Sequence, residues 1–237
     1  MTWQLSRQIF EVSYKKAVLF WDKCGGVANT LCNKFIDFEV EGGTPEAVKL
    51  VGNKKAAVLT FGIDRININC DFEAASTTYF LEVCAFALPI LVKAIELKKF
   101  TRVGHRIFHD LRTDSSEKAK ALIHQIAAAS NLGANLFQES SDDRLKGKAL
   151  EELQLRFTDQ KVGYMFSLQS TVKKFEISTP GAEAVNQKLP PPEFAVSFDA
   201  DIYTIQPMPV DVLLVEELIK SNLKLIETRV LPCFKTN

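Results

Sequence analysis

Hydrophobic and polar residues alternate along residues 98–112, a stretch that also holds two of the three histidines. Alternation with a period of two predicts a β-strand, because successive side chains of a strand point to opposite faces. One face carries Thr101, Val103, His105, Ile107, His109 and Leu111, and the other carries Phe100, Arg102, Arg106, Phe108, Asp110 and Arg112. Asp114 and Glu117 follow with the spacing of a helix-capping pair. We therefore expect a long strand with charge on one side, followed by a helix.

Other alternating runs predict further strands in both halves of the chain. They lie at residues 3–14, 35–41, 47–51, 56–61, 65–70, 149–158, 163–169, 172–178 and 193–205. The first of these runs is expected to be only partly buried, and the second to stop at Gly42 and Gly43. Short turn-forming segments separate the three runs between residues 47 and 70, which predicts an antiparallel meander.

Apolar residues that recur every three or four positions predict helices between these strands. The predicted helices are residues 20–35, 72–97, 115–130 and 212–231. Runs of strands with helices between them indicate an α+β fold. We expect two lobes, residues 1–137 and 138–237, each a mostly antiparallel, hairpin-rich sheet with helices packed on one face. The polar stretch 138–148 is the expected boundary.

Composition places the chain among ordinary globular proteins. Its 29 basic residues balance its 29 acidic residues, which argues against a dedicated binder of nucleic acid or of anionic membranes. Five scattered cysteines form no Cys-x-x-Cys pair, as is usual in a reducing compartment, and the N-terminus lacks the pattern of a signal peptide. The apolar run within residues 79–97 is about half as long as a membrane span requires. We expect a cytoplasmic protein that binds no membrane.

His105 and His109 would suit a metal if they lay on a helix. On a strand, however, four residues span about 13 Å, whereas zinc ligands lie about 2 Å from the ion. The strand prediction therefore excludes a metal shared by these two histidines.

Asp199 and Asp201 lie on one face of a predicted strand, about 6.6 Å apart. Such a pair could hold Mg²⁺, or it could pair with arginines of a neighbouring strand. The second interpretation is favoured, with Arg102 and Arg106, or Arg156, as partners. The metal hypothesis has no Gly-Ser loop of the nucleotidyl-transferase kind to support it.

Basic residues near the middle of the chain could instead grip an anion or a phosphate backbone. The candidate ligand-binding residues are Arg102, His105, Arg106 and Arg112. The alternative interpretation is charge pairing across a solvated sheet face. We find no motif for nucleophilic catalysis and no phosphate-binding loop, and we therefore predict no catalytic residue.

Two short motifs stand out, Arg-Val-Gly-His-Arg at residues 102–106 and Phe-Asp-Ala-Asp-Ile-Tyr at residues 198–203. They resemble the recurring motifs of a sporadically distributed family of uncharacterised bacterial proteins. Ile107 stands where that family usually has tyrosine. The resemblance covers most of the chain from residue 56 onward. It implies a bacterial cytoplasmic protein of similar length and brings no known activity.

These observations favour a non-enzymatic binding or interaction module, whose polar strand face receives a partner or an anionic ligand. The expected partner is another protein or a second copy of the chain. The module is expected to need no cofactor. One alternative is a metal-dependent phosphoester hydrolase or nucleotidyl transferase, in which Asp199 and Asp201 hold Mg²⁺ and Arg102 or Arg106 grips the phosphate. A second alternative is weak nucleic-acid binding through residues 98–112.

Overall fold

The computed structural model describes residues 2–52, 56–72, 75–129, 151–173 and 190–234, and it confirms the α+β class. Within these residues the helices are α1 (Phe20–Lys34), α2 (Thr77–Ala94), α3 (Ser116–Ala129) and α4 (Val215–Leu225). The strands are β1 (Gln4–Ser13), β2 (Glu39–Thr44), β3 (Ala47–Gly52), β4 (Ala57–Gly62), β5 (Arg65–Asp71), β6 (Lys99–Phe100), β7 (Arg102–Thr113), β8 (Glu152–Thr158), β9 (Val162–Lys173), β10 (Glu193–Thr204) and β11 (Met208–Pro209). A π-helical turn, Ile226–Val230, continues α4.

Nine of these strands form one antiparallel sheet in the order β2-β3-β4-β5-β1-β7-β10-β9-β8. Strands β6 and β11 pair with each other in a separate ribbon. Strands of both predicted lobes thus belong to one sheet, because β7 pairs with β1 on one side and with β10 on the other. The boundary expected within residues 138–148 lies outside the described residues.

The two halves of the sheet share a plan of connections. In the first half, β1 is followed by α1 and by a meander, and the last meander strand, β5, returns to pair with β1. In the second half, β7 is followed by α3 and by a shorter meander, whose last strand, β10, returns to pair with β7. The antiparallel pair of β1 and β7 joins the halves, so that the sheet has an approximate internal two-fold axis at its centre.

The helices pack on the same face of this sheet. Buried residues of α1, α2 and α4 form one core cluster with β1, β4 and β5, and those of α3 form a second cluster with β7, β9 and β10. The strand residues of both clusters share one face, since Phe10 lies opposite His105 and Ile68, and Ile202 lies opposite His105. We refer to this as the covered face, and to the opposite face, which carries Arg106 and Asp201, as the open face.

Several element boundaries differ from the prediction. Strand β2 begins at Glu39 and includes both glycines of the predicted stop, and its pairing with β3 is shifted by a bulge after Val40. The two strands predicted at 163–169 and 172–178 are one strand as far as Lys173, because every residue of β9 finds a partner on β10. The segment 98–112 is divided at Thr101, whose N–H donates to the carbonyl of Ser13.

The helices are shorter than predicted, because periodicity continues beyond the residues that are helical. Helix α3 begins after Ser115, whose hydroxyl accepts the N–H of Lys118, so that Ser115 is the cap in place of the predicted Asp114. The carboxylate of Asp114 pairs instead with the ammonium of Lys118. The closing helix, predicted as residues 212–231, is α-helical only over Val215–Leu225.

Helix α2 is the one described helix long and apolar enough to cross a membrane, and a third of it is buried inside the fold. It packs against α1, α4 and β5, as the prediction of a core helix requires. Ser76 caps its N-terminus by accepting the N–H of Tyr79. The absence of membrane binding stays a prediction.

Candidate functional site

Strand β7 separates two kinds of polar side chain, as its alternation predicts. Its covered face is buried from Val103 to Leu111 and holds His105 and His109. Its open face holds Arg102 and Arg106, which are partly exposed. Because β7 lies at the centre of the sheet, the two arginines lie at the middle of the open face rather than at an edge.

The neighbouring strand β10 supplies a carboxylate to each of these arginines, as expected. Arg106 forms a two-point pair with Asp199, in which Nε donates to Oδ1 at 2.8 Å and Nη2 donates to Oδ2. Arg102 donates through Nη2 to Oδ2 of Asp201, also at 2.8 Å. Two-point pairs fix the guanidinium plane as well as its position. Arg156, the third predicted partner, instead donates to the hydroxyl of Tyr203.

Gly104 provides the space that the Arg102 side chain needs to reach Asp201. A Cβ atom at Gly104 would lie 2.9 Å from Nη1 of Arg102, closer than such contacts normally come. The guanidinium therefore lies over the glycine, with Asp201 on one side and Glu11 of β1 on the other, where its Nη1 is 3.6 Å from Oε1. A side chain at position 104 would displace this bridge.

The polar network extends beyond β7 and β10. Asn67 of β5 donates its amide to Oε2 of Glu11 at 2.9 Å, so the network spans four adjacent strands. It borders a shallow hollow of about 220 Å³ on the open face. The hollow is lined by Ile9, Glu11, Asn67, Arg102, Gly104, Arg106 and Asp201.

Three arginine guanidiniums of the open face lie over aromatic rings. The guanidinium of Arg106 lies 5.0 Å from the ring centre of Phe108, and that of Arg7 lies 4.1 Å from the same centre. Arg102 lies 4.8 Å from the ring centre of Tyr203. Such contacts stabilise a cation by about 0.5–2 kcal/mol, depending on how far it is desolvated.

The central network holds more acidic than basic groups, because the two guanidiniums face three carboxylates, those of Glu11, Asp199 and Asp201. The hydrogen bond to Asp199 raises the pKa of Arg106 above its ordinary value. Burial raises the pKa of Asp201, although the two nearby guanidiniums oppose that rise. The surface therefore offers no excess of positive charge to an anion.

His105 does not belong to this surface, contrary to its place among the candidate ligand-binding residues. It is fully buried on the covered face, where its Nε2 lies 2.9 Å from Oε1 of Gln8 and its ring stacks on Phe80. Burial lowers the pKa of His105 to about 3. The odd-even alternation that places Arg106 on the open face places His105 on the other.

His109 also lies on the covered face, beside the π-helical turn that follows α4. Its Nε2 is 4.0 Å from Oε1 of Glu227, and burial lowers its pKa to about 4. Burial also raises the pKa of Glu227. Both histidines lie on one strand, so the spacing argument against a shared metal ion applies to them.

Arg112 lies six positions from Arg106 along β7, about 20 Å away on an extended strand. Its Nη2 is 4.0 Å from the carboxylate of Glu193, and both side chains are largely exposed. It borders a different hollow, of about 620 Å³, at one end of the open face. The structure thus brings Arg102 and Arg106 together and leaves Arg112 apart.

Among the described residues, no set of metal ligands includes Asp199 and Asp201. Both carboxylates already accept hydrogen bonds from arginines. In the described part of the chain no group of three or more His, Cys, Asp or Glu side chains could hold a metal ion.

Sequence reasoning missed Glu11 and Asn67 as members of the network. Alternation along residues 3–14 places Glu11 on one face with Arg7 and Ile9, but it cannot say which strand lies beside them. The pairing of β1 with both β5 and β7 supplies that information.

We compared the chain with models of protein families and with curated proteins. No family model matches it, and no curated protein does. The proposed role therefore depends on the geometry of the open face.

Proposed function

We propose that this chain is a non-enzymatic binding module, and that the open face around Arg102, Arg106, Asp199 and Asp201 receives a partner protein. The observation that carries the proposal is the position of a partly exposed ion-pair network at the centre of a sheet face on which no described helix packs. A sheet face held rigid by a packed core is a suitable platform for recognition, since binding then orders few additional groups.

The balance of charge favours a protein over an anionic ligand. An anion at the hollow would have to displace carboxylates from the guanidiniums of Arg102 and Arg106. A protein surface can instead match both signs at once, and charge complementarity of this kind contributes to specificity and to the rate of association. Nucleic-acid binding draws on an excess of basic groups along the phosphate backbone, which the alternating charges of this surface do not supply.

A cytoplasmic location is part of the proposal. All five cysteines are free thiols, and Cys70 and Cys84 are buried in the core. Burial raises the pKa of Cys70 to about 12, which keeps this thiol protonated and unreactive. Free thiols are usual where disulfides are kept reduced.

Charge reversal on each side of the molecule tests the proposed surface. Arg7 on the open face and Lys34 at the end of α1 are both exposed, and each lies over a phenylalanine ring. Arg7→Glu should weaken binding of a partner purified from the source cells by about tenfold or more, as charge reversal at an interface does. Lys34→Glu is the matched control and should leave the affinity unchanged.

Partners are first recovered from source-cell lysate by cross-linking to the tagged chain. Each purified partner is then titrated with the unaltered chain, with Arg7→Glu and with Lys34→Glu. The proposal is contradicted if no partner is recovered, or if every partner binds Arg7→Glu as tightly as the unaltered chain.

A further inference from the structure

The two edges of the sheet differ in how well they are protected. At one edge, β2 contains two glycines and a bulge, and its carboxylates include Glu39 and Glu41. Glu41 also pairs with Lys49 of the neighbouring strand. Bulges and charges of this kind prevent an edge strand from pairing with another chain. The edge at β2 is therefore blocked.

At the other edge, β8 has no bulge and no glycine, and its two charged residues are of opposite sign. Its seven residues pair with β9 in unbroken register, from Glu152 opposite Gln169 to Thr158 opposite Gly163. The strand alternates regularly, with Phe157 on the covered side 52% exposed. A regular edge strand with exposed apolar groups is a template for a further strand.

The hydrogen bonds show which backbone groups of β8 are unpaired. Ser170 donates its N–H to the carbonyl of Glu151, and Asp159 donates its N–H to the carbonyl of Val162. In an antiparallel ladder the bonding direction alternates along the strand, so the odd-numbered residues point toward β9. The backbone groups of Glu152, Gln154, Arg156 and Thr158 therefore point outward, where no described strand pairs with them.

The internal two-fold axis of the sheet gives an independent indication. It relates β1, β5, β4 and β3 to β7, β10, β9 and β8, respectively. In the first half, β3 is paired on both sides because β2 covers it. In the second half, β8 pairs with β9 alone among the described strands, and none of these strands occupies the position equivalent to β2. Within the described residues, the second half thus has one strand fewer than the first.

The side chains of β8 are complementary to those of a second, antiparallel β8. Glu152 and Arg156 lie on the open face, each two positions from Gln154. An antiparallel pair centred on Gln154 places each Glu152 opposite the partner's Arg156, and opposite charges directly across a ladder attract. The same register places Leu153 opposite the partner's Leu155, and outward backbone groups opposite outward backbone groups.

We infer that the outer edge of β8 pairs with β8 of a second copy of this chain, antiparallel and centred on Gln154. The arrangement is a two-fold symmetric contact, the commonest kind among soluble oligomers. It joins two sheets into one and makes their open faces continuous, so that the proposed binding surface is doubled. A contact of seven residues per chain buries little area, so we expect a dimer that dissociates on dilution.

Sedimentation velocity of the full chain from about 1 µM to about 1 mM tests the inference, because weak interfaces have dissociation constants in this range. The unaltered chain should pass from monomer to dimer. Gln154→Pro removes an outward N–H without removing a bond to β9, and it should weaken dimerisation by about tenfold or more. Its melting temperature should stay close to that of the unaltered chain.

Charge exchange tests the register. Glu152→Arg and Arg156→Glu each place like charges opposite one another and should each weaken the dimer by about tenfold. The double variant restores opposite charges and should return the dissociation constant to within about threefold of the original. The double variant also controls for the lost hydrogen bond from Arg156 to Tyr203.

A disulfide gives a second measure of the register. In the inferred dimer, position 154 faces itself with Cα atoms about 5.5 Å apart, a separation that a disulfide can bridge. Gln154→Cys should form a covalent dimer under mild oxidation, whereas Thr158→Cys should stay at the background set by the exposed Cys233.

A chain that is monomeric throughout the concentration range overturns the inference. So does a dimer that is indifferent to Gln154→Pro and to charge exchange, because its interface must then lie elsewhere. If the edge of β8 instead pairs with an extended peptide of another protein, Gln154→Pro reduces that binding while the chain alone stays monomeric.

Discussion

The two faces of β7 hold polar groups in opposite charge states. On the covered face, His105 and His109 are buried and neutral at physiological pH, because burial lowers the pKa of each. On the open face, Arg102 and Arg106 stay charged and paired with carboxylates at the edge of solvent. Both arrangements satisfy the rule that an unpaired charge cannot be buried. The comparison shows that the depth of burial decides whether a polar side chain of this strand is neutral or is charged and paired.

Acidification should cause the largest loss of folding stability, because it acts on the buried histidines of the covered face. The pKa of each histidine is lower in the folded chain than its value of about 6.5 in the unfolded chain. Above about pH 6.5 the histidine is neutral in both states, and the fold keeps its full stability. Below that pH the histidines are protonated in the unfolded chain but stay neutral in the folded chain, so acid favours unfolding. This continues until the pH reaches the folded pKa values, about 3 for His105 and about 4 for His109. Each histidine therefore removes up to about 1.4 kcal/mol of stability per pH unit in this window.

Urea denaturation at pH 7 and at pH 4.5 measures the acid effect. The double variant His105→Phe/His109→Phe should show a loss of stability smaller by about 4 kcal/mol than that of the unaltered chain. The raised pKa of Glu227, which faces His109, acts in the opposite direction in both proteins and therefore cancels from this difference. Equal losses in the two proteins would show that the histidines are protonated in the fold.

Removal of one arginine from the ion-pair network of the open face should cause the next largest loss of stability. Arg106→Met leaves the carboxylate of Asp199 unpaired, and that side chain is only 11% exposed. We expect a loss of about 2–4 kcal/mol in the free energy of unfolding, since a buried charge without its partner is strongly unfavourable. Chemical denaturation at pH 7 measures this loss.

Two further variants sharpen the measurement on Arg106. Arg112→Met breaks a long, exposed pair with Glu193 and should change stability by less than about 0.5 kcal/mol. Arg106→Met/Asp199→Leu removes both charges and should recover most of the stability lost in the single variant. If Arg106→Met and Arg112→Met have equal effects, the central network is no more buried than the peripheral pair.

A methyl group at Gly104 should have the smallest effect. Gly104→Ala places Cβ 2.9 Å from the Arg102 guanidinium, a flexible group that can move away at the cost of its bridge between Glu11 and Asp201. We expect a loss of about 1 kcal/mol by thermal melting. Gly26→Ala in α1 is the control, because its Cβ meets nothing within 4 Å and alanine should stabilise the helix. A stabilising Gly104→Ala would show that the bridge contributes nothing.

Much of the central site could be predicted from local pattern. The period of two on residues 98–112 and 193–205 separated the polar from the apolar face of each strand, and the predicted pairing of Asp199 and Asp201 with arginines of a neighbouring strand is confirmed. The candidate ligand-binding residues group His105 with Arg102 and Arg106, whereas the structure places it on the covered face. The alternation itself placed His105 on the opposite face, and charge proximity along the chain was the misleading signal.

The remaining errors arise where local pattern is ambiguous. Gly42 and Gly43 suggest a turn, yet they lie within β2, because pairing with β3 can override the weak strand preference of glycine. The pairing of β1 with β7 brings Glu11 beside Arg102 from 91 positions away, and no local pattern contains that information.

What the sequence by itself determined is the type of most elements and the face on which each side chain lies, because both follow from the period of the backbone. Which strands are neighbours was decided only in the tertiary structure, where β1, β7 and β10 join both halves into one sheet. The physical reason is that strand order depends on which strands bury their apolar faces together under the same helices. These strands and helices are distant from one another in the chain. For the same reason, only the assembled sheet shows that, among the described strands, β2 and β8 lie at its two edges.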